Sequence, residues 1–148
     1  MMKHLTFFDQ VVDTLGDFAQ RHDFTITVNG EVDNPRGITV ILENDSFIVS
    51  ATRERTFIRD EETIYVHCKM RPRPRAHLRQ YAVGDLSAFI EGKLDPYPVR
   101  DFSADAKDLL QYEDQCLNVD LLNSEELRVW RVDASRRQFG QRPIRRKG

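Results

Sequence analysis

The fifteen residues from Gly37 to Ala51, GITVILENDSFIVSA, constrain the fold of this chain more than any other segment. Ile38, Thr39, Val40 and Ile41 form one strand-type run, and Phe47, Ile48 and Val49 form another. β-Branched and aromatic side chains pack well on a pleated surface. Between the runs, Glu43-Asn44-Asp45-Ser46 supplies turn chemistry. Two strand-type runs this close together fold back as a β-hairpin. Any architecture for the chain must contain that hairpin and bury one side of it.

The flanking segments carry the same kind of information. Leu5, Phe8, Val12, Leu15 and Ala19 recur at helical spacing, with Val11 and Phe18 widening the stripe, so a helix is predicted from Leu5 to about Arg21. Phe24 to Val28 alternates apolar and polar residues, as a half-buried strand does. Thr63 to Met70 alternates again, with Ile64, Val66, Cys68 and Met70 on one side and Thr63, Tyr65, His67 and Lys69 on the other. Three helical segments are predicted after it. One opens near Gly84-Asp85 and uses Leu86, Phe89, Ile90 and Leu94. A second is capped by Ser103 and carries Ala106, Leu109, Leu110, Tyr112, Cys116 and Leu117 inward. A third runs from Ser124 with Leu127, Trp130 and Ala134 inward. The expected fold class is α+β: an N-terminal helix, an antiparallel sheet of about four strands, and C-terminal helices packed on the sheet. Residues 1–140 are expected to form one domain, followed by a flexible basic tail at 141–148. A chain of 148 residues is long enough to bury a core of its own.

The net charge of -2 hides a segregation of sign. Thr63 to Gly84 contains Lys69, Arg71, Arg73, Arg75 and Arg79 and no acid. Ala134 to Gly148 is likewise basic, whereas Asp85 to Glu126 holds eleven acids. The Arg71-Pro72-Arg73-Pro74-Arg75 run cannot pair as a central strand, because proline lacks an N–H. Extended, it would present its arginines roughly 6–7 Å apart, a spacing suited to phosphates or carboxylates. Tyr65 and Tyr81 are candidates for stacking beside it. The simplest reading pairs these arginines with acids of the same chain; a protein partner and a nucleic acid are the other two. A sequence pI of 6.1 disfavours the last. Asp9, Asp13 and Asp17 lie four apart, so they line one side of the first helix as a solvated face or a docking surface for a basic partner.

Catalytic patterns are missing from the sequence. His67 and Cys68 are adjacent in a strand, so they point to opposite faces and cannot form a nucleophile–base pair. Cys68 and Cys116 read as core residues. Asp101, Asp105 and Asp108 are explained by the dipole at a helix start. There is no phosphate loop, no G-x-S-x-G and no H-E-x-x-H. The expectation is a non-enzyme with no cofactor and no metal. Asp9, Asp13 and Asp17 interrupt any signal-peptide core, and no run reaches the ~18 apolar residues of a membrane span, so a cytoplasmic protein without membrane contact is expected.

Three segments carry a resemblance to small, mostly uncharacterised bacterial α+β proteins of immunity-protein type, some of which look like immunity proteins that neutralise toxins from neighbouring cells. They are the Phe7–Phe24 helix leading into a strand, the Ile38–Ser50 hairpin, and Tyr81-Ala82-Val83-Gly84-Asp85-Leu86-Ser87-Ala88-Phe89-Ile90 followed by a Leu109–Leu122 helix. The chain departs from them in the Arg-Pro run and the basic tail. The resemblance implies a non-catalytic module that binds another protein and inhibits it, and it supplies no functional residues. On charge alone, the partner-binding candidates are Lys69, Arg71, Arg73, Arg75, Arg79, Asp9, Asp13 and Asp17. A nucleic-acid-associated accessory protein using the Arg/Pro segment is the alternative.

Overall fold

The computed structural model describes residues 6–29, 37–55, 60–69 and 80–138. Leu5, Met70, the Arg71–Arg79 cluster and the expected tail at 141–148 lie outside the described residues.

Helix α1 (Phe7–Arg21) opens on a capping box. The Thr6 hydroxyl accepts the Asp9 N–H at 3.1 Å, and the Asp9 carboxylate accepts the Thr6 N–H at 3.4 Å, which satisfies two donors that a helix start leaves over. The buried stripe is Phe7, Val11, Leu15, Phe18 and Ala19. Val11, Leu15, Phe18 and Ala19 are buried as expected, while Phe7 takes the place expected of Phe8, and Phe8 and Val12 are half-buried. Phe7 meets Phe102 edge-on at 5.5 Å. The helix stops in a Schellman turn: the Phe24 N–H donates to Ala19 O at 2.8 Å and the Asp23 N–H to Gln20 O at 3.3 Å. Asp23 holds the left-handed position at φ 56°.

Among the described residues five strands follow: β1 (Thr25–Asn29), β2 (Gly37–Glu43), β3 (Phe47–Arg55), β4 (Asp60–Cys68) and β5 (Gln80–Ala82). They form an antiparallel meander in that order. This is one strand more than the pattern predicted, because β5 has only three residues and shows no alternation to read. The predicted hairpin is β2–β3. Its turn is organised by Asn44, whose side-chain oxygen accepts the Ser46 and Phe47 N–H groups at 2.9 and 2.8 Å. The Asn44 amide nitrogen donates to His22 O at 2.8 Å, tying the hairpin to the end of α1. Gly37 opens β2 at φ 148°, where an added Cβ would stand 2.9 Å from the Arg53 carbonyl oxygen, so only glycine fits.

Register gives the sheet two different faces. Val40, Ala51 and Ile64 are partners across β2, β3 and β4, as are Leu42, Val49 and Val66. All six are fully buried. The helices cover this core face: α2 (Val83–Ile90), α3 (Phe102–Gln111), α4 (Glu113–Cys116), α5 (Val119–Leu122) and α6 (Glu125–Gln138), together with α1. Burying a side chain such as Leu15, Phe18 or Ile64 contributes about 1.5–3 kcal/mol.

The C-terminal helices differ in detail from expectation. Asp101, not Ser103, caps α3, accepting the Ala104 N–H at 2.9 Å. The single helix expected through Leu122 is broken into α3, α4 and α5. Asn118 restarts it by accepting the Leu121 N–H at 3.0 Å, a competition that Asn side chains win against a continuous helix. The breaks let Leu109, Cys116 and Leu122 all reach the core. Helix α2 ends at Gly92, φ 76°, with Lys93 N–H on Ala88 O at 2.9 Å. Leu94 therefore falls beyond the helix and is 71% exposed instead of packed. Leu127, Trp130 and Ala134 of α6 face inward as predicted. No described helix is long and apolar enough to cross a membrane.

Candidate functional site

The alternate residues of the strands form an outer face. One row across it is Thr27, Ile41, Ser50, Tyr65 and Ala82; the next is Thr25, Glu43, Ile48, His67 and Gln80. Asn29, Thr39, Thr52 and Thr63 make a third, in which the Thr39 and Thr52 hydroxyls meet at 3.3 Å. Ile41, Ile48 and Tyr65 are half-buried and stand outside the apolar cluster that the helices share with the core face. His67 lies on the outer side as its alternation with Cys68 requires, but it is buried rather than exposed. Cys68 and Cys116 are buried and unbridged, as expected of core residues. Burial pushes the Cys116 thiol up to about 12.

At the β4–β5 end of the outer face a cleft of about 190 Å³ opens. Its walls are Thr63 and Tyr65 of β4, the junction from Ala82 to Asp85 where β5 becomes α2, and the loop from Pro96 to Arg100. That loop is held down by the Tyr97 N–H on Gly84 O at 3.4 Å. Arg100 stacks on the Tyr97 ring at 4.7 Å. It also pairs with Asp105 at 2.9 Å and Asp108 at 2.8 Å.

Asp105 sits where the sheet edge is incomplete. β5 ends opposite Tyr65, so the Ile64 N–H has no strand partner on that side. Asp105 accepts it at 3.1 Å. Burial pushes the Asp105 carboxyl above its ordinary value, against the lowering effect of the Ile64 N–H and Arg100. Asp105 lies in the first turn of α3, as the dipole reading has it, and in addition it closes a strand edge. Asp85 is also raised, by burial first, with Arg131 opposing and Asp105 adding to it. Its carboxylate makes no hydrogen bond or ion pair with a described residue.

Below the cleft, Glu91 accepts the hydroxyls of Tyr97 and Tyr112, the latter at 2.6 Å. These bonds hold Glu91 below its usual range and push Tyr112 up to about 12. Next to Tyr112 in the chain, Glu113 turns to the end of α1, where it accepts from His22 at 2.9 Å and from Arg21 at 3.1 Å.

Of the candidates named on charge, four are among the described residues. Lys69 pairs with Glu43 across the sheet. Arg71, Arg73, Arg75 and Arg79 lie outside the described residues. Asp9 serves the α1 cap, while Asp13 and Asp17 are exposed on α1. Tyr81 is buried on the core face, with the Arg131 guanidinium 4.5 Å from its ring centre, so it is not available for stacking. Part of the charge segregation resolves internally, as Arg137 reaches Asp95 at 3.2 Å. Sequence reasoning missed the cleft. Its lining comes from β4, the β5–α2 junction and a proline-flanked loop, and no local pattern links the three. Among the described residues, no group of three or more His, Cys, Asp or Glu side chains could hold a metal ion. No protein-family model, curated protein or solved structure matches this chain.

Proposed function

We propose that this protein is a non-catalytic protein-binding module of immunity type, which inhibits a bacterial toxin by occluding it with the outer face of the sheet. The observation that carries the reading is the row Thr27–Ile41–Ser50–Tyr65–Ala82, which sets apolar and hydroxyl side chains on a face that shares no core with the helices. Aromatic and aliphatic anchors with a hydroxyl-rich surround are what a partner can bury without stranding charge. The exposed Asp13 and Asp17 would steer a basic partner toward the molecule. The reading places the protein in the cytoplasm, in accord with two unbridged thiols.

The reading requires a toxin gene beside this one, and a neighbourhood without one defeats it; co-expression with a toxin found there tests it further. The wild type should protect cells. Ile41→Glu with Ile48→Glu should abolish protection while leaving the circular dichroism spectrum unchanged. No protection by the wild type, or equal protection by the double variant, defeats the proposal. A shift of labelled DNA or RNA at micromolar protein and low salt would instead favour the nucleic-acid alternative.

A further inference from the structure

The cleft at the β4–β5 end of the outer face has one open valence. Arg100 is the positive charge in its wall, and that charge is spent. Its Nε and one terminal nitrogen go to Asp105 at 3.2 and 2.9 Å, its other terminal nitrogen goes to Asp108 at 2.8 Å, and its plane lies over Tyr97. Asp105 is equally engaged, between Arg100 and the Ile64 N–H. Arg131, the nearby cation on α6, donates to Gln80 O at 2.6 Å and stacks on Tyr81. Among the described charges lining the cleft, the Asp85 carboxylate alone has neither a hydrogen bond nor an ion pair. A half-buried acceptor without a donor favours a ligand that brings donors and positive charge.

Size narrows the class. About 190 Å³ is below the roughly 300–1,000 Å³ of pockets for cofactors and drug-sized ligands. It suits a single side chain. The walls agree: Tyr65 contributes a ring with no ring or cation contact to a described residue, and Pro96, Pro98 and Val99 supply apolar surface for a methylene stem. The cleft also opens onto the outer face, since Thr63, Tyr65 and Ala82 belong to both.

We propose that this cleft receives one basic side chain, a lysine ammonium or an arginine guanidinium, from the protein that docks on the outer face. Asp85 is the charge acceptor and Tyr65 the wall. The inference rests on the protein-binding reading and gives the partner a chemistry, a projecting Lys or Arg. It assigns Asp85 a role that the charge pattern of the sequence did not suggest.

The test uses the full chain, labelled with ¹⁵N and titrated with three probes: N-acetyl-arginine methylamide, N-acetyl-lysine methylamide and N-acetyl-glutamate methylamide. The two cationic probes should shift the Tyr65, Gly84 and Asp85 amide signals saturably, and the glutamate probe should not. Asp85→Asn should weaken that binding about tenfold or more, whereas Asp120→Asn, an exposed acid on α5, should leave it unchanged. A second measurement needs no variant. Binding to the wild type should fall as pH drops through the Asp85 titration, with Arg131 on α6, Asp105 on α3 and Arg100 on the loop as the charges facing it. No saturable shift, equal binding by Asp85→Asn, or equal response to the glutamate probe overturns the inference. The titration reads the cleft without the partner. A silent cleft in a protein that protects against its toxin defeats the inference alone, and a responsive cleft in a protein that gives no protection defeats the wider reading alone.

Discussion

Glu62 and Asp105 join strand β4 to helix α3 in opposite directions. The strand's Glu62 accepts the Phe102 N–H at the helix start at 2.7 Å, and the helix's Asp105 accepts the Ile64 N–H at the strand edge at 3.1 Å. Each carboxylate satisfies a backbone donor of the other element. Each also carries an arginine, Arg53 on Glu62 at 2.7 Å and Arg100 on Asp105 at 2.9 Å. The reciprocal pair sets α3 against the sheet and thereby builds one wall of the cleft.

Asp105→Ala is expected to destabilise the fold by about 2–4 kcal/mol, because it strands the Ile64 N–H and leaves Arg100 half-buried with Asp108 alone. Asp105→Asn keeps an acceptor for Ile64 and should cost clearly less. Urea unfolding checks the order: the midpoint should fall furthest for Ala, with the slope unchanged.

Asp85 and Glu113 should give stability opposite dependences on pH. The Asp85 carboxyl is raised above 3.8 in the fold, by burial first. The folded state then binds the proton more tightly than the unfolded chain, so stability increases as pH falls from above the raised value toward 3.8. Asp85→Asn should remove that increase and be the more stable protein at neutral pH. For Glu113, burial acts upward, but the His22 and Arg21 bonds prevail and hold it below 4.5. Its contribution is present above 4.5 and lost as pH falls through the lowered value. Glu113→Gln should flatten that acid-side loss. Unfolding midpoints measured from neutral pH into the acid range distinguish the two.

Asp23→Gly should stabilise the protein by about 0.5–1 kcal/mol. Asp23 occupies the left-handed position that ends α1, at φ 56°, where a side chain with a Cβ is strained and glycine is not. Its own side chain is exposed, and no described hydrogen bond is lost with it. A rise in melting temperature checks this; a fall would mean that the carboxylate contributes something the backbone geometry does not reveal.

Cys68 and Cys116 should resist alkylation in the native protein. Both are buried, and the Cys116 thiol is pushed up to about 12 by burial, so almost no thiolate forms at neutral pH. Mass spectrometry after iodoacetamide treatment should show both unmodified in buffer and both modified in denaturant.

The periodicities of the chain decided most of the architecture. Alternation placed Val66 and Cys68 on the buried side of β4. The polar break at Asn44 fixed the β2–β3 hairpin, and helical spacing announced α1, α2, α3 and α6. These are local signals, because burying one face of a strand or helix imposes a period of two or 3.6 on the residues themselves. What the tertiary structure decided has no such period. β5 is three residues long and exists because the Val66 edge of β4 offers it a partner. The break after Gln111 depends on how Cys116 and Leu122 reach the core. Asp105 reads as an ordinary acid in a first helical turn until the unpaired Ile64 N–H stands before it. Asp85 reads the same way until the Pro96–Arg100 loop folds over it and Arg100 is drawn to other acids. Those roles come from contacts between residues far apart in sequence, which only the folded chain brings within hydrogen-bonding distance.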